Sequence, residues 1–302
     1  ATSGAAATLL GKIYLRNHDY ANAKTYIDMV LNSGQYELES DFKYVWSENN
    51  KYGKEMIFAL LHETGNNAAE IACHFGPSDH PEVPGRWQYY GVSLPFWRSY
   101  DKEDPRREFF YYDYTGDAKR DDQSDYGFHY MVPEEGVTVV PNDTTKYMQN
   151  VATMKYTYDM ISDAYYDGRT ICIFRLSDVI LCKAEIENNL NGPALPYLNQ
   201  IRARAGAPEY GKHNRFPAPS TKEAMNDAIL KERGYELVFE FQRRADLIRF
   251  GKYEEVVNAH LKKLGIAQPT NVTSSLRYFP YPLNDAQLNP NLAAENPSRL
   301  PK

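Results

Sequence analysis

The segment from Lys231 to Gly251 constrains the fold most, because it places charged side chains among apolar ones at helical spacing. Glu232, Glu236 and Glu240 follow one another at four-residue steps, which puts them on one face of a helix. We expect these glutamates to form ion pairs with the nearby Arg233, Arg243 and Arg244. Asp246 adds a further carboxylate to the same charged segment. Buried charges are normally paired, so the segment predicts a structural ion-pair ladder inside a packed helix pair.

The same glutamates could instead be paired catalytic acids or half of a carboxylate-bridged metal site. We favour ion pairing, because arginines surround them and no Glu-x-x-His pattern accompanies them. His74 and His80, with Asp79 between, lack a third ligand for a metal. The oxygen-rich stretch from Asp113 to Asp125 misses the EF-hand order, so a solvated acidic loop is favoured over a calcium site. We therefore predict no catalytic residue, no metal and no cofactor.

Composition indicates a globular protein with an excess of tyrosine. The 302 residues can bury a sizeable core, and they include 25 tyrosines. So many aromatic side chains suit surfaces that stack on ring-shaped ligands while polar groups bond the ligand's edges. The net charge of -6 and the lack of a long Lys/Arg run argue against nucleic-acid binding.

The cysteines and the hydropathy pattern constrain the fold less than the charged segment does. Cys172 and Cys182 lie ten residues apart on one predicted helix and cannot bridge each other, so with Cys73 we expect buried free thiols. No apolar stretch is long enough for a membrane span, and no leader pattern is present. The opening residues already follow a helical pattern, which we interpret as a sign that a preceding part of the protein is missing.

Residues 1–35 predict a helical hairpin. Leu9, Leu10, Ile13 and Tyr14 form one apolar stripe, and a second helix follows with Asp19 as its N-cap. The hairpin resembles a tetratricopeptide unit.

Residues 36–167 are rich in Gly, Pro, Asn and aromatic side chains, with short periodic stretches at 55–61 and 94–100. Such a long irregular connection is usually functional, so we predict the ligand-binding region here.

Helical order returns in residues 168–302. One long helix is predicted from about Arg169, a second begins at Gly192-Pro193, and a capping box at Ser220 and Glu223 precedes a third that carries the ladder. A short helix fits residues 254–264. The tail from Gln268 is rich in Pro and Asn, which predicts a wrapping rather than a helical segment.

Four segments carry recognisable motifs: Arg175–Glu185, Tyr197–Gly206, Glu232–Gly251 and the run from Pro280 to Pro297. The first three are similar to R-x-A-D-V-x-L-x-x-A-E, L-N-x-I-R-x-R-A-G and E-R-x-x-E-L-x-F-E-x-x-R-x-x-D-L-x-R-x-G, and the fourth is similar to a Pro/Asn-rich tail. Together these segments resemble the SusD/RagB-like family of outer-membrane nutrient-binding lipoproteins. Asp104-Pro105-Arg106 matches more loosely.

The resemblance implies a mainly α-helical fold in which tetratricopeptide-like helix pairs support a long, irregular, loop-rich ligand-binding region. It implies a non-enzymatic cell-surface protein that captures an oligosaccharide and delivers it to a SusC-like TonB-dependent transporter. The protein would be a surface-exposed lipoprotein of the outer membrane, held only by an N-terminal lipid anchor that is absent from this chain. The alternatives are a peptide-capturing RagB-like member, a helical-repeat scaffold that binds proteins and, third, a glycosidase.

The candidate ligand-binding residues are aromatic and polar side chains in two loops of the irregular region. Pyranose rings pack on indole or phenol rings, while amide and guanidinium groups bond the hydroxyls. The first loop lies between Pro/Gly turns, and the second carries two further tyrosines; the candidates are Arg86, Trp87, Gln88, Tyr89, Tyr90, Tyr126 and Tyr130. Phe96 and Trp97 lie in a helical stretch and are expected in the core.

Overall fold

The computed structural model describes residues 2–65, 68–77, 80–83, 87–116, 128–135, 145–159, 167–263, 272–273 and 279–295. The chain divides into two compact units, Ala1–Glu240 and Phe241–Lys302, and each is described by itself. Arg86, Tyr126 and residues 117–125 of the acidic loop lie outside the described residues. The predictions for them therefore stay predictions.

The first unit begins with a helical hairpin formed by α1 (Ser3–Arg16) and α2 (Tyr20–Leu31). The carboxylate of Asp19 accepts the Asn22 N–H and caps α2, as the sequence predicts. Small side chains let the two helices approach closely: a Cβ atom placed on Gly11 would lie 2.9 Å from Ile27 Cδ1. The hairpin is thus joined by small residues of α1 against large ones of α2.

The predicted apolar stripe of α1 is wrong. Leu9, Leu10 and Ile13 are 50%, 39% and 46% exposed, and Tyr14 packs only at the margin of the core. The buried face of α1 carries smaller residues together with one leucine: Ala5, Ala7, Thr8, Gly11 and Leu15. Close contact between α1 and α2 favours the face of α1 that carries small residues. The largest apolar side chains of α1 therefore lie on its exposed face.

Three further helices complete the helical part: α5 (Leu176–Asn189), α6 (Leu195–Arg204) and α7 (Lys222–Glu236). α5 lies at the centre, since twelve of its fourteen residues are buried and it contacts α2, α6 and α7. α6 begins soon after Gly192-Pro193, as predicted. The N-cap of α7 is Thr221, whose hydroxyl accepts the Ala224 N–H, so the predicted Ser220 cap is off by one residue.

The beginning of the predicted long helix from Arg169 is a strand instead. Residues Ile171–Arg175 form β8, which pairs antiparallel with β1 (Met56–Leu60). The run of β-branched and aromatic residues in β8 favours this pairing over a helix. Cys172 therefore lies on a strand and Cys182 on a helix, and both are buried and outside any disulfide, as is Cys73.

Among its described residues, the irregular region contains two short α-helices, α3 (Ile71–Phe75) and α4 (Leu94–Arg98), and two three-stranded sheets. In one sheet, β7 (Asn150–Thr153) lies between β2 (Val92–Ser93) and β3 (Phe110–Tyr111). In the other, β5 (His129–Met131) lies between β4 (Asp113–Thr115) and β6 (Thr145–Tyr147). Trp97 is buried beside β7, as expected of a core residue.

The predicted single helix through the ladder is wrong, because α7 ends at Glu236. Phe239 and Phe241 adopt left-handed φ angles of 62° and 60°, which take the chain out of the helix before Glu240 and again after it.

The second unit contains α8 (Arg243–Arg249), α9 (Tyr253–Lys263), α10 (Leu283–Leu288) and α11 (Pro290–Glu295). The short helix expected at 254–264 is confirmed, whereas the tail is partly helical rather than only wrapping. Within the described ranges, no helix combines the length and the apolar character that crossing a membrane requires.

Candidate ligand-binding surface

The three glutamates of the ladder lie in a buried charge network whose partners come from other elements. This network joins five carboxylates, Glu55, Asp104, Glu232, Glu236 and Glu240, to five basic groups, Arg106, Lys155, Arg175, Arg202 and Arg204. Every one of these side chains is at most 6% exposed. The formal charges cancel, so the network can be buried without a net charge.

Arg175 is the hub of the buried charge network. Its Nη1 donates to Glu55 at 2.6 Å and to Glu236 at 2.7 Å, and its Nε and Nη2 donate to the two oxygens of Glu240 at 2.7 and 2.8 Å. Burial alone would raise the pKa of the Glu236 carboxyl, but Arg204, Arg175 and Arg106 outweigh it and hold that pKa well below its ordinary value. The three ladder glutamates are buried and paired with basic groups, which is a structural arrangement.

Arg233 has a partner outside the ladder, whereas pairing of Arg243 and Arg244 with the ladder stays a prediction. Arg233 pairs with Asp178 at 2.7 Å, and Asp178 also pairs with Lys12 of α1. Arg243, Arg244 and Asp246 lie on α8 of the second unit, where Asp246 pairs with Arg249 at 3.0 Å. Arg244 extends its guanidinium over the Tyr253 and Phe279 rings.

The arginines that contact the ladder glutamates also stand in the motifs quoted above. Arg175 opens the motif Arg175–Glu185, Arg202 and Arg204 lie in the motif Tyr197–Gly206, and Arg106 follows Asp104-Pro105. Arg202 follows the apolar Leu198 at a four-residue step, and an arginine on the apolar face of a predicted helix signals a buried partner, so this signal could have identified Arg202.

The first loop of candidate residues forms an exposed aromatic surface, which consists of Trp87, Tyr89 and Tyr90. These side chains are 39%, 66% and 54% exposed. The Trp87 and Tyr89 ring centroids lie 5.5 Å apart at an interplanar angle of 31°. All three rings surround the His74 imidazole, with centroid distances of 5.1, 5.6 and 6.3 Å. The structure therefore brings these three predicted residues together.

Backbone hydrogen bonds fix the aromatic surface to α3. The Trp87 N–H donates to the Cys73 carbonyl at 2.7 Å, and the Tyr90 N–H donates to the His74 carbonyl at 3.1 Å. Gln88, between them, has a left-handed φ of 49°, and its amide donates to Asn150 Oδ1 on β7 at 3.5 Å. Gln88 thus ties the loop to the sheet as well. A surface held in this way loses little conformational freedom when a ligand binds.

α3 is in turn held by Asp167. Its carboxylate accepts the Ala72 N–H at 3.3 Å, and its backbone carbonyl accepts the Ala69 N–H at 2.7 Å. Burial raises the pKa of the Asp167 carboxyl to about 6, although Arg169 lowers it. His74 and Asp167 were not among the predicted site residues. Their role depends on contacts between distant segments, which a local sequence pattern does not show.

Tyr130, the remaining described candidate, stands on β5. Its ring stacks on Tyr114 with a centroid distance of 5.0 Å and an interplanar angle of 12°. Phe128 and Lys146 lie beside it. Tyr130 thus belongs to a second group of rings on the sheet β4–β5–β6, and its predicted contact with a ligand stays a prediction.

Comparison with known proteins identifies the family. The SusD family model matches residues 54–298, so the chain belongs to the SusD family. Its relatives include SusD-like protein P2 of Formosa agariphila, 25% identical over 97% of this chain and 58% of the relative. The starch-binding protein SusD of Bacteroides thetaiotaomicron is 28% identical over 44% of this chain and 22% of its own length. The resemblance stated from the sequence motifs is confirmed.

Solved structures confirm the fold. A SusD superfamily protein of Parabacteroides distasonis has a TM-score of 0.71 and 20% identity, over 96% of this chain and 62% of its own. Surface glycan-binding protein A of Bacteroides thetaiotaomicron, in complex with laminarihexaose, has a TM-score of 0.69 and 20% identity, over 95% and 62%. The mainly helical fold with tetratricopeptide-like helix pairs is therefore confirmed, and the chain spans about 60% of these structures.

Proposed function

We propose that the protein captures an oligosaccharide at the cell surface without cleaving it, through the aromatic surface of Trp87, Tyr89 and Tyr90. The observation that carries this proposal is the exposure of three rings that surround His74 on a loop fixed by backbone hydrogen bonds. Exposed aromatic rings grouped on one surface suit the apolar faces of pyranoses. A surface glycan-binding protein of similar fold has been solved with laminarihexaose, which supports the same ligand class.

The environment of the ladder glutamates supports the absence of bond cleavage in this proposal. A glycosidase needs two carboxyl groups that face the bound sugar. Glu232, Glu236 and Glu240 are each at most 6% exposed and each contacts an arginine. These groups stabilise the fold and are not placed to protonate a ligand.

The remaining parts of the proposal rest on family membership. SusD-family membership supports a surface-exposed lipoprotein of the outer membrane that passes its ligand to a SusC-like TonB-dependent transporter. Delivery is tested by co-purification of the full-length protein with the transporter from the same membrane.

Calorimetric titration with a panel of soluble glycans and peptides tests the ligand class. We expect one glycan to bind, and Trp87→Ala or Tyr89→Ala to weaken binding by about 1–3 kcal/mol, the scale for a buried aromatic contact in an interface. Tyr52→Ala is the matched control, because Tyr52 is 78% exposed and lies outside the aromatic surface. Equal losses in Tyr52→Ala and Tyr89→Ala would contradict the proposed site.

One observation favours a second candidate, a scaffold or receptor for peptides. A groove of about 500 Å³ lies beside α2, α5 and α6 and is lined by Tyr36, Tyr197 and Gln200 among others. Concave surfaces of stacked helix pairs commonly bind peptides. In the same titration, a peptide whose binding Tyr197→Ala weakens, with no effect of Trp87→Ala, would support this function instead.

A further inference from the structure

The sheet β4–β5–β6 presents a row of three side chains. Tyr114 stands directly opposite Tyr130, and Tyr130 stands directly opposite Lys146. Residues opposite each other on neighbouring strands project from the same face, and the strand spacing makes this row about 10 Å long. Phe128 precedes Tyr130 by two residues, and its ring contacts the Tyr130 ring. We call Tyr114, Phe128, Tyr130 and Lys146 the lysine–ring cluster.

The ammonium group of Lys146 is held in place by the rings. Its Nζ lies 3.8 Å from the Phe128 ring centroid and 5.6 Å from the Tyr130 centroid, and it donates to the Tyr130 hydroxyl at 3.4 Å. Both ring distances are within the range of cation–π attraction. An ammonium group has three donors, so further donors remain for a ligand. Lys146 is exposed, and a ligand can therefore reach it.

No carboxylate of the described residues neutralises this ammonium group within 4 Å. Asp113 on β4 is near in sequence to Tyr114, but its carboxylate pairs with His129 Nε2 at 2.6 Å. Asp113 and His129 alternate with Tyr114 and Tyr130 along their strands, which places that pair on the opposite face of the sheet. By contrast, Lys155, whose Nζ lies 4.6 Å from the Trp46 ring centroid, pairs with Glu240 at 2.7 Å.

We infer that the lysine–ring cluster binds an acidic group of a saccharide, a carboxylate or a sulfate, while a neighbouring sugar ring packs on the tyrosines. This inference rests on the proposed function and specifies its ligand class as an acidic glycan. An immobilised ammonium group attracts an anion without first losing its own conformational freedom. The length of the row accommodates a sugar ring at the tyrosines and an acidic substituent at Lys146.

Matched pairs of acidic and neutral polysaccharides test the inference on the purified protein. Affinity is measured for polygalacturonate against neutral galactan and for dextran sulfate against dextran, which separates carboxylate from sulfate. We expect an acidic member to bind more tightly than its neutral counterpart. Binding should weaken between 0.05 and 0.5 M salt, because the Debye length falls from roughly 14 Å to roughly 4 Å.

Variants at Lys146 identify the group responsible. We expect Lys146→Gln to weaken binding of the acidic polysaccharide about tenfold, the lower range for a hydrogen bond to a charged group. Lys146→Arg should retain the affinity, because it keeps the charge. Lys102→Gln is the matched control, since Lys102 is an exposed lysine between α4 and β3, outside the cluster.

The outcomes separate this inference from the proposed function. If the protein binds neutral and acidic chains equally, or if Lys146→Gln leaves the acidic affinity unchanged, the inference is overturned while glycan capture stands. Equal weakening of neutral and acidic chains by Lys146→Gln also overturns it, since the lysine would then bond hydroxyls. If no saccharide of this panel or of the glycan panel above binds, the proposed function fails and the inference fails with it.

Discussion

Arg175→Met removes the hub of the buried charge network while keeping most of the volume of the side chain. Arg175 is 2% exposed and donates hydrogen bonds to Glu55, Glu236 and Glu240. Each glutamate keeps another basic partner, but the network then carries one negative charge in excess. Breaking a buried ion pair from one side costs about 3–5 kcal/mol, whereas a domain of ordinary stability has about 5–15 kcal/mol in total.

Urea unfolding measures this loss. Trp46 is a local fluorophore, because the Arg175 guanidinium lies 5.5 Å from its ring centroid. Arg215→Met is the matched control: its side chain is 47% exposed and pairs with Asp101 and Glu103, and such exposed pairs contribute about 0–1 kcal/mol. A loss of less than about 1 kcal/mol in Arg175→Met, equal to that of the control, would refute the reasoning.

A double variant tests whether charge balance is the cause. Arg175→Met together with Glu240→Gln restores equal numbers of acidic and basic groups. We expect the combined loss to be smaller than the sum of the single losses by about 0.5–3 kcal/mol, the range for groups in one network. Strict additivity would mean that the two groups act independently and would contradict the network.

Two further predictions concern pH and the helical hairpin. Below about pH 4.5 the urea midpoint should fall, because Glu236 and Asp178 have lowered pKa values in the folded state and the unfolded chain therefore takes up protons first. Asp167 acts in the opposite sense between about pH 6 and 4, since its raised pKa favours the folded state as it protonates; a rising midpoint below pH 4 would contradict this account. Leu15→Ala should cost about 2–5 kcal/mol and Leu9→Ala at most about 0.5, because their side chains are 1% and 50% exposed; equal losses in urea unfolding would show that α1 packs through a different face.

Local signals predicted the elements that depend on local chemistry. Asp19 caps α2 because its carboxylate bonds an N–H three residues away, and this geometry is encoded within one turn. α6 begins just after Gly192-Pro193 for a similarly local reason, since its first turn carries Pro196 and proline suits the first turn of a helix. The family motifs predicted the overall fold, which hydrophobic periodicity alone does not specify.

The errors arose where distant contacts decide. β8 is a strand because β1, more than 100 residues earlier, pairs with it. Glu240 continues the four-residue spacing of the ladder, but it bonds Arg175 and Lys155 from outside α7. Spacing alone could not distinguish this from a continued helix. In α1, hydrophobicity favours the large side chains, whereas close contact with α2 favours the small ones.

The candidate site was predictable in part. The turns that flank Trp87, Tyr89 and Tyr90 predicted an exposed loop, and the structure places these rings at the surface. His74, around which they gather, lies on a helix that the sequence did not indicate. The position of Lys146 over Phe128 depends on the pairing of β5 with β6, which a single strand pattern does not reveal.

Tryptophan fluorescence during a glycan titration tests the central claim most directly. Trp87 is 39% exposed, whereas Trp46 and Trp97 are 6% and 5% exposed, so a sugar that stacks on the aromatic surface should change the emission of Trp87 alone. We expect a saturable change that follows the calorimetric binding curve and is lost in Trp87→Phe. Calorimetric binding with no fluorescence change, or an unaltered change in Trp87→Phe, would place the ligand elsewhere and contradict the account.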